Sequence, residues 1–554
     1  MAHETTLDPA LDAAIKLQQS GRLAEARAIY EGFLETHPEN PEALHLLGMT
    51  CAQLGDSRTG VACMRRAVEM CPDNPDFTLN LANLLEACDL EEEAVQCLQA
   101  LLSRGSDNAT AHLALADKLQ NLGRFEEAEE QYEKALALNP GDPAALTGLG
   151  MVMRSTQRED AAEASYRMAL QTNPNQIGAL INLALLIMSQ GRHDEAQECI
   201  EKSLALAPDN SKTWFHLGNA MLVQNRAVAA QNAFKKTISL APDDPEGHTH
   251  LGLACLLAGD LVNGFAEYEW RLKIPNIPID PLPGPAWDGS PLDGAWILLH
   301  AEQGYGDTLQ CVRYVSMVAG RGGRVALRCQ WDLGRLLENA PGVERIESGK
   351  EVPQGYDVHA HLMSLPHIFG TSLDTVPADV PYLAPAKDLV DKWAKRLGND
   401  EELKVGLAWR GSPSHPNDKN RSSTPSIFLP LLGRPGVRFF SLQKGVHADD
   451  LPLPEGIEDV TDGFEDFSDT AACVSNLDLI ISVDTAVIHL AGALASPVWV
   501  MLPVSSDWRW MLDRDDSPWY PTMRLFWQRR WDDWDEVVDR IGQSLDAFKR
   551  EKGR

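Results

Sequence analysis

The chain is short of positive charge. Its 554 residues carry 49 Lys and Arg against 80 Asp and Glu, a formal net charge of −31. That balance argues against nonspecific nucleic-acid binding and against attachment to an anionic membrane surface. Cysteine is sparse as well. None of the ten belongs to a C-x-x-C pair, which removes the common zinc spacings, and no metal is expected. Cys51, Cys63, Cys71, Cys88, Cys97, Cys199 and Cys255 fall in a helical half and read as small buried hydrophobes in a reducing compartment. No membrane-length apolar run exists. The most apolar stretch, Leu477 to Leu502, contains Asp478, Asp484 and His489 and reads as buried strand–helix–strand. The start, Met1 to Thr6, has no basic region followed by an apolar core, so no signal peptide is apparent and a cytoplasmic location is expected.

What is present is a period of 34 residues. Gly21, Gly55, Gly123, Gly191 and Gly259 share one lattice, with Asp89, Gln157 and Asn225 at its missing points. Pro38, Pro72, Pro140, Pro174, Pro208 and Pro242 share a second, broken at Ser106, and Leu47 to Leu251 an unbroken third. Small residues recur where helices would cross closely, among them Ala26, Ala128, Gly150, Gly218 and Gly252. The pattern resembles tetratricopeptide repeats, paired amphipathic helices that stack into a superhelix with a groove. About seven and a half units fit between Leu7 and Pro275. Asn80 and Asn182 precede the lattice leucine, as do His216 and His250. The asparagines either grip a peptide backbone or form part of a solvated face.

The proline-rich run from Ile274 to Pro285 ends the helical pattern. Beyond it, short β-rich runs alternate with helices, which indicates an α/β region. In its first half, strand Trp296–His300 leads into Glu302, Gln303, Gly304, Tyr305, Gly306 and Asp307. A helix from Thr308 to Val318 and strand Val325–Cys329 follow. The glycine pair Gly304 and Gly306 lets backbone approach a ligand closely. It lacks the third glycine of a dinucleotide fingerprint, so an NAD site is rejected. His359 and His361 place two imidazoles on one strand face. With no third ligand evident, they read as polar packing.

The second half repeats the alternation. Strand Val405–Trp409 precedes a polar loop with His415, Asn417, Asp418, Lys419 and Arg421. Strand Arg438–Leu442 precedes Gln443 and Lys444. Strand Leu479–Ser482 runs into Asp484, Thr485, Ala486 and His489 at the start of a helix, and strand Val498–Leu502 closes the core. Helix amino termini at strand ends collect anions, so Thr485 and Ala486 are candidates to offer amides to a phosphate, with Lys444 and Arg421 supplying charge.

Gly306-Asp307 and the D-T-x-x-x-H of Asp484, Thr485 and His489 resemble the motifs of heptosyltransferase-like glycosyltransferases. The likeness covers most of residues 285–554. It implies an α-helical repeat solenoid followed by an α/β GT-B domain of two Rossmann-like halves. The expected limits are 1–275 for the repeats, 276–295 for a Pro-rich linker, 296–395 for the acceptor half and 396–554 for the nucleotide-sugar half with a tryptophan-rich tail. It further implies Asp307 as catalytic base, donor binding by Asp484, Thr485 and His489, and a metal-independent reaction. Arg421, Gln443, Lys444 and Ala486 complete the donor-site candidates. Ala486 stands where the family often has glycine. The nucleotide-sugar is a substrate, and no cofactor is expected.

Each candidate has a plainer role. Asp307 and Asp484 are favoured N-cap residues. His489 fits a core histidine, and Lys444 and Arg421 fit solvated charges. The tail tryptophans stack on a sugar or base, or pack the last helices back across the first half. Arg524, Arg529 and Arg530 are expected to pair with Asp532, Asp533 and Asp535. The whole resembles bacterial flagellin glycosyltransferases, which join such repeats to such a domain and use a CMP-activated nonulosonic acid. It also resembles O-linked N-acetylglucosamine transferases, whose catalytic region is larger. The expectation is a protein O-glycosyltransferase whose repeats recruit the acceptor, with flagellin the leading candidate. The alternatives are transfer to lipopolysaccharide or another glycan, and a noncatalytic repeat scaffold.

Overall fold

The computed structural model describes residues 8–105, 107–275, 282, 284–347, 353–398, 401–413, 415, 417–445 and 450–553. Most of the proline run, 276–281 and 283, lies outside them. By compactness the chain divides after Pro208 into residues 1–208 and 209–554.

Sixteen helices from Pro9–Gln19 to Leu261–Tyr268 form eight pairs. The glycine lattice is a conformational one. Gly21, Gly55, Gly123, Gly191 and Gly259 have φ between 72° and 84°, and the substitutes Asp89, Gln157 and Asn225 are forced to φ of 58°, 61° and 58°. A further lattice was not read from the sequence. Asn40, Asn74, Asn108, Asp142, Asn210 and Asp244 each begin a helix with a side-chain oxygen accepting from its first amides, and only Gln176 makes no such bond. Those caps satisfy donors that the helix itself leaves free. The small residues of the crossing lattice are required by distance. A Cβ at Gly150 would lie 2.5 Å from the Tyr166 ring, and one at Gly252 would lie 2.7 Å from the Tyr268 amide nitrogen.

In the unit 209–554, the last two repeat helices share one hydrophobic core with two sheets, through Leu256, Leu261, Phe265 and Tyr268. The first sheet is all parallel, in the order β3-β2-β1-β4: β1 Trp296–His300, β2 Arg324–Arg328, β3 Val343–Glu347 and β4 Val358–His361. The second is also all parallel, in the order β10-β9-β8-β5-β6-β7. Its strands are β5 Leu403–Ala408, β6 Val437–Ser441, β7 Ile457–Asp459, β8 Leu479–Val483, β9 Val498–Leu502 and β10 Met523–Trp527. In both, the chain winds outward one way and then returns to the other side of its first strand. The switch points fall at β1/β4 and β5/β8, where such sheets open a crevice for ligands.

Several expectations are corrected in detail. The helix expected over 308–318 begins at Tyr305 and is broken by a 3-10 turn at Val312–Tyr314. The final helix, Trp534–Glu551, does not fold back across the first half. Trp534, Val537, Ile541 and Leu545 bury against the second sheet. Arg529 pairs with Glu536 at 3.2 Å and Arg524 donates to Ser544, so the expected partners Asp532, Asp533 and Asp535 are not used. Asp533 instead caps the final helix. Residues 284–295 pack rather than hang free: Trp287 is buried and its indole donates to the Ser290 carbonyl at 2.9 Å.

The left-handed backbone at Gln157 costs a side-chain-bearing residue about 1–2 kcal/mol. Gln157→Gly is therefore expected to stabilise the repeat unit by about 0.5–1 kcal/mol after glycine's own entropy cost, seen as a higher urea midpoint. An unchanged or lowered midpoint by far-UV circular dichroism would show that the lattice is not a conformational constraint.

Candidate functional site

The two switch points supply the candidate residues. After β1, the chain passes Glu302 and Gln303 and enters helix Tyr305–Cys311 at Gly304. Asp307 stands at the third position of that helix and not at the N-cap itself, yet it keeps a capping role from there. Its Oδ2 accepts the Gly304 amide at 2.8 Å. Its other oxygen, Oδ1, accepts from Arg509 Nη2. Arg509 is 7% exposed and also donates to Asp507 at 2.9 Å and to Gln310. Asp307 belongs to the first sheet's loops and Arg509 to a segment between β9 and β10. Their ion pair therefore ties the sheets together.

After β8, Asp484 and Thr485 precede helix Ala486–Ala493. Asp484 is not the cap either. Thr485 occupies that position in extended backbone, and its side chain makes no cap bond. Thr485, Ala486 and Val487 are only half-buried, so the helix start remains accessible. The Asp484 Oδ2 accepts the Trp510 indole N–H at 2.8 Å, and its carbonyl accepts Arg421 Nη1 at 3.0 Å. Burial pushes the Asp484 acid up to about 6, and the charge of Asp507 adds to the rise. Arg421 lies across Gly411, where a Cβ would meet its guanidinium at 2.5 Å.

His489 is buried under the first half. A Cβ at Gly306 would stand 2.8 Å from its Cδ2, so the lack of a side chain at Gly306 makes room for the imidazole. Its Nδ1 is 3.0 Å from the Tyr520 hydroxyl, and its ring stacks near Trp510 with centroids 5.6 Å apart. Burial drives its pKa well down, and Arg509, Arg313 and Arg421 add to the shift, which favours the neutral imidazole. Gly304 has φ of −70°, an ordinary value for any residue.

Not every candidate gathers here. The Gln443 Oε1 accepts the backbone amides of Trp409 and Arg410, at 3.2 and 3.0 Å, and so closes the end of β5. Lys444 donates to the Glu465 carbonyl at 3.0 Å. Neither contact points to Asp484 or Arg421. Asn80 donates toward His45 and Asn182 to the Gly178 carbonyl, so both asparagines use a donor within the repeats. His359 and His361 lie near His300, but among the described residues no group of three or more His, Cys, Asp or Glu could hold a metal ion. A groove of about 940 Å³, lined by Asn225, Val228, Gly259, Leu373, Met511 and Asp513, opens beside the last repeats and includes neither Asp307 nor Asp484. The groove also carries Arg226, Asp513, Arg514 and Asp516 at its lining, but the switch-point cluster is the one that lies where parallel sheets of this winding bind ligands.

Sequence reading missed Asp507, Arg509 and Trp510 as site residues. Their only signal was a dense Asp-Trp-Arg-Trp string in the tail. It also missed Arg313, 5% exposed, which donates to the carbonyls of Pro377 and Trp519 and to the Tyr382 hydroxyl.

Comparisons with known proteins bear on the helical half. Tetratricopeptide-repeat models match residues 11–75, 113–177 and 187–253. The chain carries tetratricopeptide repeats. It is 27% identical over 329 residues to Protein FlbA of Caulobacter vibrioides, covering 53% of this chain and 54% of that protein. The match thus spans about half the length of that curated relative. A tetratricopeptide repeat protein from Parabacteroides merdae is 19% identical, with a TM-score of 0.40 over 44% of this chain and 97% of that one. PilF of Pseudomonas aeruginosa is 20% identical, with a TM-score of 0.33 over 37% of this chain and 94% of its own. Among the described residues no helix is long and apolar enough to cross a membrane.

The raised Asp484 acid has a thermodynamic consequence. A raised folded-state pKa stabilises the fold while the group is protonated. That contribution is full below the ordinary value of 3.8 and is lost as pH rises through about 6. Asp484→Asn keeps an acceptor for Trp510 and cannot ionise. Relative to wild type it is expected to gain roughly 2–3 kcal/mol between about pH 4 and pH 7. Urea midpoints of both proteins across that range decide it, and parallel profiles would remove the burial effect.

Proposed function

We propose that this protein is an inverting GT-B glycosyltransferase that moves a sugar from a nucleotide-sugar to Ser or Thr of a protein held by its repeats. Flagellin is the leading acceptor, and a CMP-activated nonulosonic acid is the leading donor. The observation that carries the reading is the meeting of two crevices. Asp307 comes from the β1/β4 switch point, and the open helix start at Thr485–Ala486, with Arg421, comes from the β5/β8 switch point.

In this reading the acceptor hydroxyl oxygen attacks the anomeric carbon. Asp307 takes the hydroxyl proton, and the sugar–phosphate bond breaks with both electrons leaving on the phosphate. The amides of Ala486 and Val487 and the Arg421 guanidinium receive that charge. Each oxygen of a carboxylate accepts more than one hydrogen bond, so the contacts to Gly304 and Arg509 fix Asp307 without exhausting it. Tetratricopeptide repeats present grooves for proteins and peptides, which is what assigns the recruiting role to the helical half.

One observation favours a noncatalytic scaffold instead: the Asp307–Arg509 pair would serve architecture alone. Both readings meet one experiment. Purified protein, flagellin and CMP-nonulosonic acid should yield flagellin heavier by one sugar. Asp307→Asn should slow that by about 10²–10⁴-fold while retaining flagellin binding. Identical flagellin masses from hosts with and without the gene would turn this reading aside, and an unimpaired Asp307→Asn enzyme would remove Asp307 as the base.

A further inference from the structure

The last repeat does more than end the helical array. Helix Leu261–Tyr268 and the 3-10 turn Glu269–Lys273 are locked in place by the close crossing at Gly252, where any side chain would strike the Tyr268 backbone. From that fixed base two side chains reach the loop that carries Asp307. Arg271, 2% exposed, donates through Nη2 to Glu302 Oε1 at 2.8 Å and to Ser364 Oγ at 2.9 Å. The Tyr268 hydroxyl accepts from Gln303 Nε2 at 3.0 Å. Glu302 has no exposed side-chain surface and serves as an anchor for the loop. Glu302 follows β1 and Ser364 follows β4, so one guanidinium clamps both sides of the first switch point.

The opposite side of the loop is held within the sheet body. Gln330 donates to the Gln303 carbonyl at 2.6 Å and accepts from the Thr308 hydroxyl at 3.0 Å. The same repeat helix also touches the segment bearing Arg509. Phe265 packs edge-on against Trp508, with centroids 5.5 Å apart, and the Arg509 guanidinium lies over the Trp508 ring at 4.4 Å. Both members of the Asp307–Arg509 pair thus trace back, through one intermediate residue or two, to Phe265, Tyr268 and Arg271.

We infer that Tyr268 and Arg271 are positioning residues of the site: the final repeat sets the Glu302–Asp307 loop and is a working part of the sheet-bearing unit. The effect on catalysis rests on the transferase reading above, whereas the effect on the loop does not. Breaking a buried pair by removing one partner is costly, so Arg271→Met is paired with the milder Tyr268→Phe, which removes only a hydroxyl. Tyr166→Phe, the same change in a distant repeat, is the control.

The experiment measures hydrogen–deuterium exchange of peptides spanning residues 299–309 in the full-length protein, alongside melting temperature and transfer kinetics. Tyr268→Phe is expected to melt like wild type and to speed exchange in those peptides severalfold. It should lower kcat about three- to tenfold at unchanged donor KM, since a small misplacement at the reacting centre is felt in rate and not in binding. Arg271→Lys should restore part of what Arg271→Met loses. Tyr166→Phe should change none of these. Unaltered exchange over 299–309 in Tyr268→Phe, with Arg271→Met either likewise unaltered or unable to fold, overturns the inference. Faster exchange in a protein whose wild type transfers no sugar would sustain the positioning role and reject the transferase reading instead.

Discussion

A guanidinium buried between two sheets is the constraint on which the rest of the second unit depends. Arg509 has almost no contact with water, and a lone charge in that position would be untenable. It is tolerated because Asp307 and Asp507 face it and Gln310 takes a third donor. Asp307 and Gln310 belong to the helical stretch after β1, Asp507 to the loop after β9. The sheets cannot separate at this point without stripping a buried cation of its partners, a loss of about 3–5 kcal/mol in comparable cases. Arg313 repeats the device nearby. Its donors go to Trp519 and Pro377 carbonyls, and its face lies 4.5 Å from the Tyr520 ring centroid.

These cations also set the electrostatics of the cluster. His489 is pushed toward its neutral form by burial and by three arginines, and Asp484 is pushed toward neutrality by burial beside Asp507. The arginines of the cluster are met by carboxylates, Arg509 by Asp307 and Asp507 and Arg421 by Asp418, so the acidic excess of the chain and the charge pairing in its interior are independent properties.

How much of this was legible in the sequence depended on whether a residue's role was local or remote. The 34-residue lattices are local, because glycine, or a residue forced to mimic it, is demanded by the backbone at Gln157 as at Gly123. Strands β1 and β9 were read to the residue because each is a short apolar run with a clear turn after it. The caps at Asn40 to Asp244 are equally local, each side chain bonding amides within three residues of itself. Asp307 and Asp484 were found by type and place. Asp307 does help to cap its helix through the Gly304 amide, but the remaining partners, Arg509 for Asp307 and Trp510 for Asp484, lie some two hundred and some twenty-five residues away. Nothing in one sequence announces a pairing of that span. Gln443 and Lys444 show the converse case: each is a polar residue after a strand whose side chain contacts backbone groups, the amides of Trp409 and Arg410 and the Glu465 carbonyl, which the sequence does not announce.

The repeat pattern and the compact units end in different places, and the difference has a physical cause. Periodicity runs to the last helix pair because each pair needs a neighbour to cover its apolar face. The final pair has no further repeat to do so. Phe265 and Tyr268, together with Leu256 and Leu261, bury instead in the core that also holds β1, β2 and the tryptophans of the tail. A solenoid ordinarily ends in a polar cap, but here the sheets are the cap. The cost of that solution is that the end of the array cannot shift without disturbing Glu302 and Trp508. Its consequence is that the compact unit holding the sheets begins at residue 209, well before the proline run at which the helical pattern ends.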